Sequence, residues 1–146
     1  MKRMVLILGF GLILSLVSAS IAASQVQTRI RVIQASNDGS TIDPALIDIH
    51  DQLGSLFSFT SYRLLRDETL SVFPNRPVEI ITHRGRAIEI TLVGNRRHMG
   101  EFRLRLKREG TDILNTQVRL FSGRTVLIGG PKHGEGVIIF AISARF

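Results

Sequence analysis

Cysteine is absent from the sequence. A cysteine nucleophile, a zinc–thiolate centre, thiol redox chemistry and a lipid anchor on cysteine are therefore excluded, and the fold must rest on its core rather than on disulfides. Tryptophan is also absent and there is a single tyrosine, so the stacking platforms that hold single-stranded nucleic acid are missing. No GxSxG elbow and no GxxxxGK[ST] phosphate loop occurs, and no serine has a base partner placed beside it in sequence. His50, His83, His98 and His133 never fall at the i, i+4 spacing of a helical zinc site. Acids are scarce beside bases, 12 against 19, for a net charge of +7.

What is present begins with an export signal. Met1-Lys2-Arg3 is a short positive segment, Val5–Val17 is an apolar run with a single serine, Ser15, within it, and small residues follow at Ser18, Ala19, Ser20, Ala22 and Ala23. That order is the layout of a secretory signal peptide over residues 1–23, with small-x-small cleavage sites after Ala19 and after Ala22. The apolar run is shorter than the ~20 residues of a membrane-spanning helix. Residues 24–146 are then expected to form one domain, periplasmic or secreted. Lys2 and Arg3 leave with the signal, so 17 bases face 12 acids, and only Lys107 and Lys132 among those bases are lysines.

Periodicity defines most of the elements. Thr28–Gln34 alternates and reads as a strand. Asp43-Pro44 is a helix start: the aspartate caps the free N–H groups and the proline suits the first helical position. Leu46, Ile49, Leu53, Leu56 and Phe57 then share one face, predicting an amphipathic helix over 43–57. Ser58–Leu65 and Thr69–Phe73 read as strands separated by a charged turn, Arg66-Asp67-Glu68. Val78–Thr82, Ala87–Val93, Glu101–Lys107 and Ile113–Phe121 follow, with turns at 83–86, 94–97 and 108–112. Ile88, Ile90 and Leu92 alternate with Glu89 and Thr91, and Phe102, Leu104 and Leu106 alternate with Arg103, Arg105 and Lys107. Such half-wet strands belong to antiparallel sheets. Glu89 is expected across from one of these arginines.

The stretch 124–146 closes the chain. Thr125–Ile128 and Val137–Ile142 are apolar on both faces, flanking Gly129-Gly-Pro-Lys-His-Gly-Glu-Gly136, which predicts a hairpin at the centre of the fold. Its glycine loop, with Lys132 and His133 at the tip, offers N–H groups and a cation to an anion or a partner. Arg103, Arg105 and Lys107 form a second basic feature suited to an acidic polymer. Counting back from Phe146, apolar residues recur at every second position, as in the closing strand of outer-membrane barrels.

Residues 114–130, Leu-Asn-Thr-Gln-Val-Arg-Leu followed by Gly123-Arg-Thr-Val-Leu-Ile-Gly-Gly130, resemble the gate-hairpin segment of the bacterial secretins. The resemblance implies a small envelope protein with a related hairpin and does not extend to channel activity, because the chain lacks the family's repeated periplasmic domains.

These readings converge on an α+β fold: one amphipathic helix packed on an antiparallel sheet of about seven or eight strands, folded as a sandwich or half-barrel. The expected function is that of an exported, non-enzymatic envelope module that binds another periplasmic or secreted component and needs no cofactor or metal. A basic-face binder of a polyanion such as lipopolysaccharide and a small outer-membrane β-barrel are the alternatives. The expected partners are an envelope protein or an anionic polymer, not nucleic acid, with peripheral membrane contact at most. Arg103, Arg105, Lys107, Lys132 and His133 are the candidate contacts.

Overall fold

The computed structural model describes residues 25–82 and 85–146. Residues 1–24, which include the expected signal segment 1–23, and His83 and Arg84 of the expected 83–86 turn lie outside the described residues.

Among the described residues, eight strands form two antiparallel four-stranded sheets. The first sheet has the order β2-β1-β8-β7, from β2 (Ser61–Val72), β1 (Val26–Ser36), β8 (Gly136–Arg145) and β7 (Thr125–His133). The second is a meander of β3 (Val78–Ile81), β4 (Arg86–Arg96), β5 (Met99–Arg108) and β6 (Thr111–Phe121). A single eight-stranded sheet is thus not what forms. Each sheet is open and has two edge strands, whereas a membrane barrel closes its strands into a ring.

The two sheets face each other across the main core. Ile88, Ile90 and Leu92 of β4 and Phe102, Leu104 and Leu106 of β5 meet Val26, Ile30 and Val32 of β1 and Ile138, Phe140 and Ile142 of β8. The alternation read in β4 and β5 is therefore the alternation between this core and water. The first sheet is covered on its other face as well, where Ile33, Ala35, Tyr62, Ile139 and Ala141 pack with Leu46, Ile49 and Leu53 of the helical region. Burial on both faces explains why β8 is apolar almost throughout.

The centre of that sheet is the β1–β8 pair, not the β7–β8 hairpin. β1 lies between β2 and β8, and β7 is an edge. Much of the glycine-rich stretch is strand: β7 runs through to His133, and only Gly134 and Glu135 are left to turn the chain into Gly136. A register shift between Gly129 and Lys132 absorbs Gly130 and Pro131. Gly130 is there for space, since a Cβ would lie 2.9 Å from the Phe140 ring.

The charged trio Arg66-Asp67-Glu68 is not a turn; β2 passes straight through it. A register shift opposite Val32 and Ile33 leaves Leu65 as the extra residue of β2. A bulge of this kind reverses which alternate residues face inward. Before it, Tyr62 and Leu64 pack toward the helix; after it, Leu70 and Val72 pack into the inter-sheet core. The trio is held in the strand by its partners. Asp67 accepts two hydrogen bonds from Arg29 of the neighbouring strand, at 2.6 and 2.9 Å, and Arg66 donates to Glu68 and to the Ile81 carbonyl of the facing sheet.

The helical region starts as read: Asp43 accepts from the Ala45 amide at 3.0 Å and Pro44 takes the first helical position. It is not one helix, however. Pro44–Ile49 is a 3-10 segment and His50–Leu56 is α-helix, here α1. Leu46, Ile49 and Leu53 are buried as expected, whereas Leu56 is exposed. The expected turn at 94–97 also begins later: β4 continues to Arg96 and the chain turns at Arg97-His98. At the far end the Phe146 ring lies over Gly100 of β5, where a Cβ would come within 2.6 Å of it. There the terminal aromatic caps the sandwich.

Candidate ligand-binding site at one end of the sandwich

At the end of the sandwich opposite Phe146, the two sheets part around a cavity of about 200 Å³. Its walls come from both sheets. Val32, Leu65, Leu106, Ile138 and Phe140 supply an apolar floor, and Gln34, Arg63, Thr82, Arg86 and His133 supply a polar rim, with Pro131 between them. Among the described residues, no carboxylate lines it.

Each rim residue is placed by a local feature. Arg63 faces inward because it precedes the Leu65 bulge, and it donates to Gln34 Oε1 at 2.8 Å across the β1–β2 pair. Arg86 opens β4 where the Thr82 amide and hydroxyl both donate to its carbonyl, at 2.9 and 3.2 Å, closing the β3–β4 connection. His133 is the last residue of β7 and is directed to the cavity by the shift at Gly130-Pro131. Gly136 lets β8 start hard against β1: a Cβ there would lie 1.8 Å from the Ala35 carbonyl oxygen.

A guanidinium presents a rigid fork of donors. The bond from Arg63 to Gln34 uses one of them, so the remainder can receive an anion. The floor cannot hydrogen-bond. The mouth is therefore chemically two-sided, with cations outside and hydrocarbon within.

Of the residues expected at the tip, His133 lines this cavity, while Lys132 is exposed and its side chain is not part of the lining. The stripe on β5 lies elsewhere, on the outer face of the second sheet, and it is largely neutralised. Glu89 accepts from Lys107 at 2.8 Å and from Arg105 at 3.3 Å, and Asp112 takes Arg105 at 2.7 Å. The Glu89–Arg105 pairing is the one expected from register. Lys107 chiefly, with Arg105, holds the Glu89 carboxyl below its usual pKa against a smaller opposing effect of burial. The hydrogen bond to Asp112 chiefly raises that of Arg105. Arg103 is exposed and forms no ion pair among the described residues.

Arg63, Arg86 and Gln34 escaped the sequence reading. They sit in three separate strands, and nothing local distinguishes them from other polar strand-end residues.

Comparison with protein-family models, with curated proteins and with solved structures finds no match for the chain.

Proposed function

We propose that the chain is an exported, non-enzymatic module of the bacterial envelope that binds another envelope component, and that it does so through the cation-rimmed mouth of the sandwich. One observation carries the reading: the Arg63 guanidinium stands at the rim of an apolar-floored cavity whose lining, among the described residues, includes no carboxylate. The Arg63 guanidinium, with donors left over from its bond to Gln34, favours an anionic partner, and the apolar floor favours one with an apolar part. Export rests on the residue order of positions 1–23.

Two other routes to binding are less favoured. Pairing with a sheet edge meets blunted edges throughout: β3 is short, β2 carries Arg66-Asp67-Glu68, β6 carries Asp112 and Arg119, and β7 carries Pro131. Polyanion binding through Arg103, Arg105 and Lys107 has to displace Glu89 and Asp112 from two of those three cations.

The test is photocrosslinking in cells, with a photoreactive residue in place of Lys132, the exposed neighbour of His133, and, in a parallel strain, in place of Gln117 on the outer face of the second sheet. The expected result is a discrete adduct in the envelope fraction from position 132 and none from 117, on a chain whose N-terminus begins after Ala19 or Ala22. A chain that remains in the cytosol with Met1 attached overturns the reading, as does adduct formation from position 117 alone.

A further inference from the structure

Resting on the mouth as the binding site, we infer that its occupant is a small organic acid: one carboxylate head on a short aromatic or branched apolar body. The size sets the body. A cavity of about 200 Å³ exceeds the ~150 Å³ of a dry cavity that takes benzene and falls short of the ~300 Å³ at which drug-sized pockets begin. It has room for a ring or a branched chain with a head, and none for a long acyl tail.

The floor sets the chemistry of the body. Val32, Leu106, Ile138 and Phe140 are all buried, so the ligand meets hydrocarbon and an aromatic face. Phe140 brings its ring close beside Gly130, where a Cβ would lie 2.9 Å from it, so the aromatic wall stands against the β7 backbone.

The rim sets the head. Arg63 is already oriented by Gln34 at 2.8 Å, and its planar fork matches a planar carboxylate in a two-pronged contact. The Thr82 hydroxyl spends its proton on the Arg86 carbonyl at 3.2 Å, so hydrogen bonding to the head falls to the Arg63 fork. The head stays at the mouth, where water completes its solvation, and the body enters the floor; burying the charge fully would cost far more than the floor returns.

The test is calorimetric titration of the purified chain with benzoate and with 4-methylpentanoate. Benzyl alcohol serves as a body without charge, inorganic phosphate as a charge without a body, and phenyl phosphate as the alternative head. Benzoate or 4-methylpentanoate is expected to bind one to one, at least about tenfold more tightly than benzyl alcohol or phosphate, the loss expected when a charge-assisted contact is removed. Arg63→Gln should weaken benzoate by a similar factor and leave its weak benzyl alcohol binding unchanged. Amide shifts in a nuclear magnetic resonance titration should centre on Leu106 and His133, which keeps the test decisive even if a variant folds poorly. Equal binding of phosphate and benzoate, tighter binding of phenyl phosphate than of benzoate, or shifts centred on Arg103 overturn the inference. So does an absence of binding by both acids at millimolar concentration. If the acids fail while crosslinking from position 132 still captures an envelope component, the small-acid assignment falls and the binding reading stands; if both fail, the reading falls with it.

Discussion

Three glycine-to-alanine exchanges separate the reasons this fold needs glycine, and their order is set by geometry. At Gly136 an added methyl would lie 1.8 Å from the Ala35 carbonyl oxygen, 2.9 Å from its carbon and 3.1 Å from the Ser36 Cα. All three are backbone atoms of β1 and cannot rotate away. Relief requires the central strand pair to part where Ala35 meets Val137, breaking ladder hydrogen bonds and loosening Ile138 in the core. The cost should be about 3 kcal/mol or more, the upper end for overpacking. At Gly134 the methyl meets open space, but φ is +59°, so Gly134→Ala should cost about 1 kcal/mol through left-handed backbone alone. Gly54 lies in α1 with open space around it and no unusual φ, and Gly54→Ala should stabilise by about 0.5–1 kcal/mol. Urea denaturation at neutral pH, with the slope held to its wild-type value, measures all three. A Gly136→Ala variant within 1 kcal/mol of wild type would refute the argument that close approach of β8 to β1 fixes this residue. The opposite order at positions 54 and 134 would refute the conformational part.

Further outcomes follow from the ion pairs. Arg31 is buried on β1 and donates to Asp48 at 2.8 Å, while Asp48 itself is half exposed. Asp48→Ala should therefore cost about 1–2 kcal/mol, less than a fully buried pair because water screens the carboxylate, and Arg31→Met added to it should recover part of the loss. A double variant less stable than Asp48→Ala in the same denaturation assay counts against this account. Stability should also fall in acid. Hydrogen bonds from Arg31, Arg29 and Lys107 chiefly hold Asp48, Asp67 and Glu89 below the usual carboxylate pKa, so the unfolded chain takes up protons first as pH drops. Their contribution is complete above the ordinary carboxylate value of ~4 and disappears as pH falls through the lower native values. Denaturation midpoints measured from about pH 6 to pH 2 should decline across that window, and a flat profile would contradict it.

Half-wet strands announced themselves in the sequence, and doubly buried or bulged ones did not. In β4 and β5 the inward residues alternate with mostly polar ones, so this part of the core and the pairing of Glu89 with an arginine of β5 were legible, whereas the register that makes the partner Arg105 was not. Asp43-Pro44 marked the helix start because capping is a local event. The Leu65 bulge is not local. It reverses the inward face in mid-strand, and a reader following period two sees two short strands where β2 is continuous. The same blindness hid the candidate site. Arg63 faces the cavity because of that bulge and His133 because of the shift at Gly130-Pro131, and Arg86 joins them from the other sheet. The glycine cluster drew notice for its flexibility, yet Gly130 and Gly136 act by leaving room for Phe140 and Ala35. The β5 stripe was visible as cations, whereas its neutralisation by Asp112 depends on the β5–β6 register.

The pairing of β1 with β8 bears on when this protein becomes a protein at all. The two central strands of the first sheet are also the two most distant in sequence, with Gln27 opposite Arg145. Until β8 exists, β1 has only an edge strand beside it, and the inter-sheet core lacks Ile138, Phe140 and Ile142. Contacts of such long sequence separation make for slow folding, because the loop between them must be closed before any of them forms. The β3–β6 meander pairs neighbours in sequence, whereas the first sheet and the inter-sheet core are completed only when β8 joins β1.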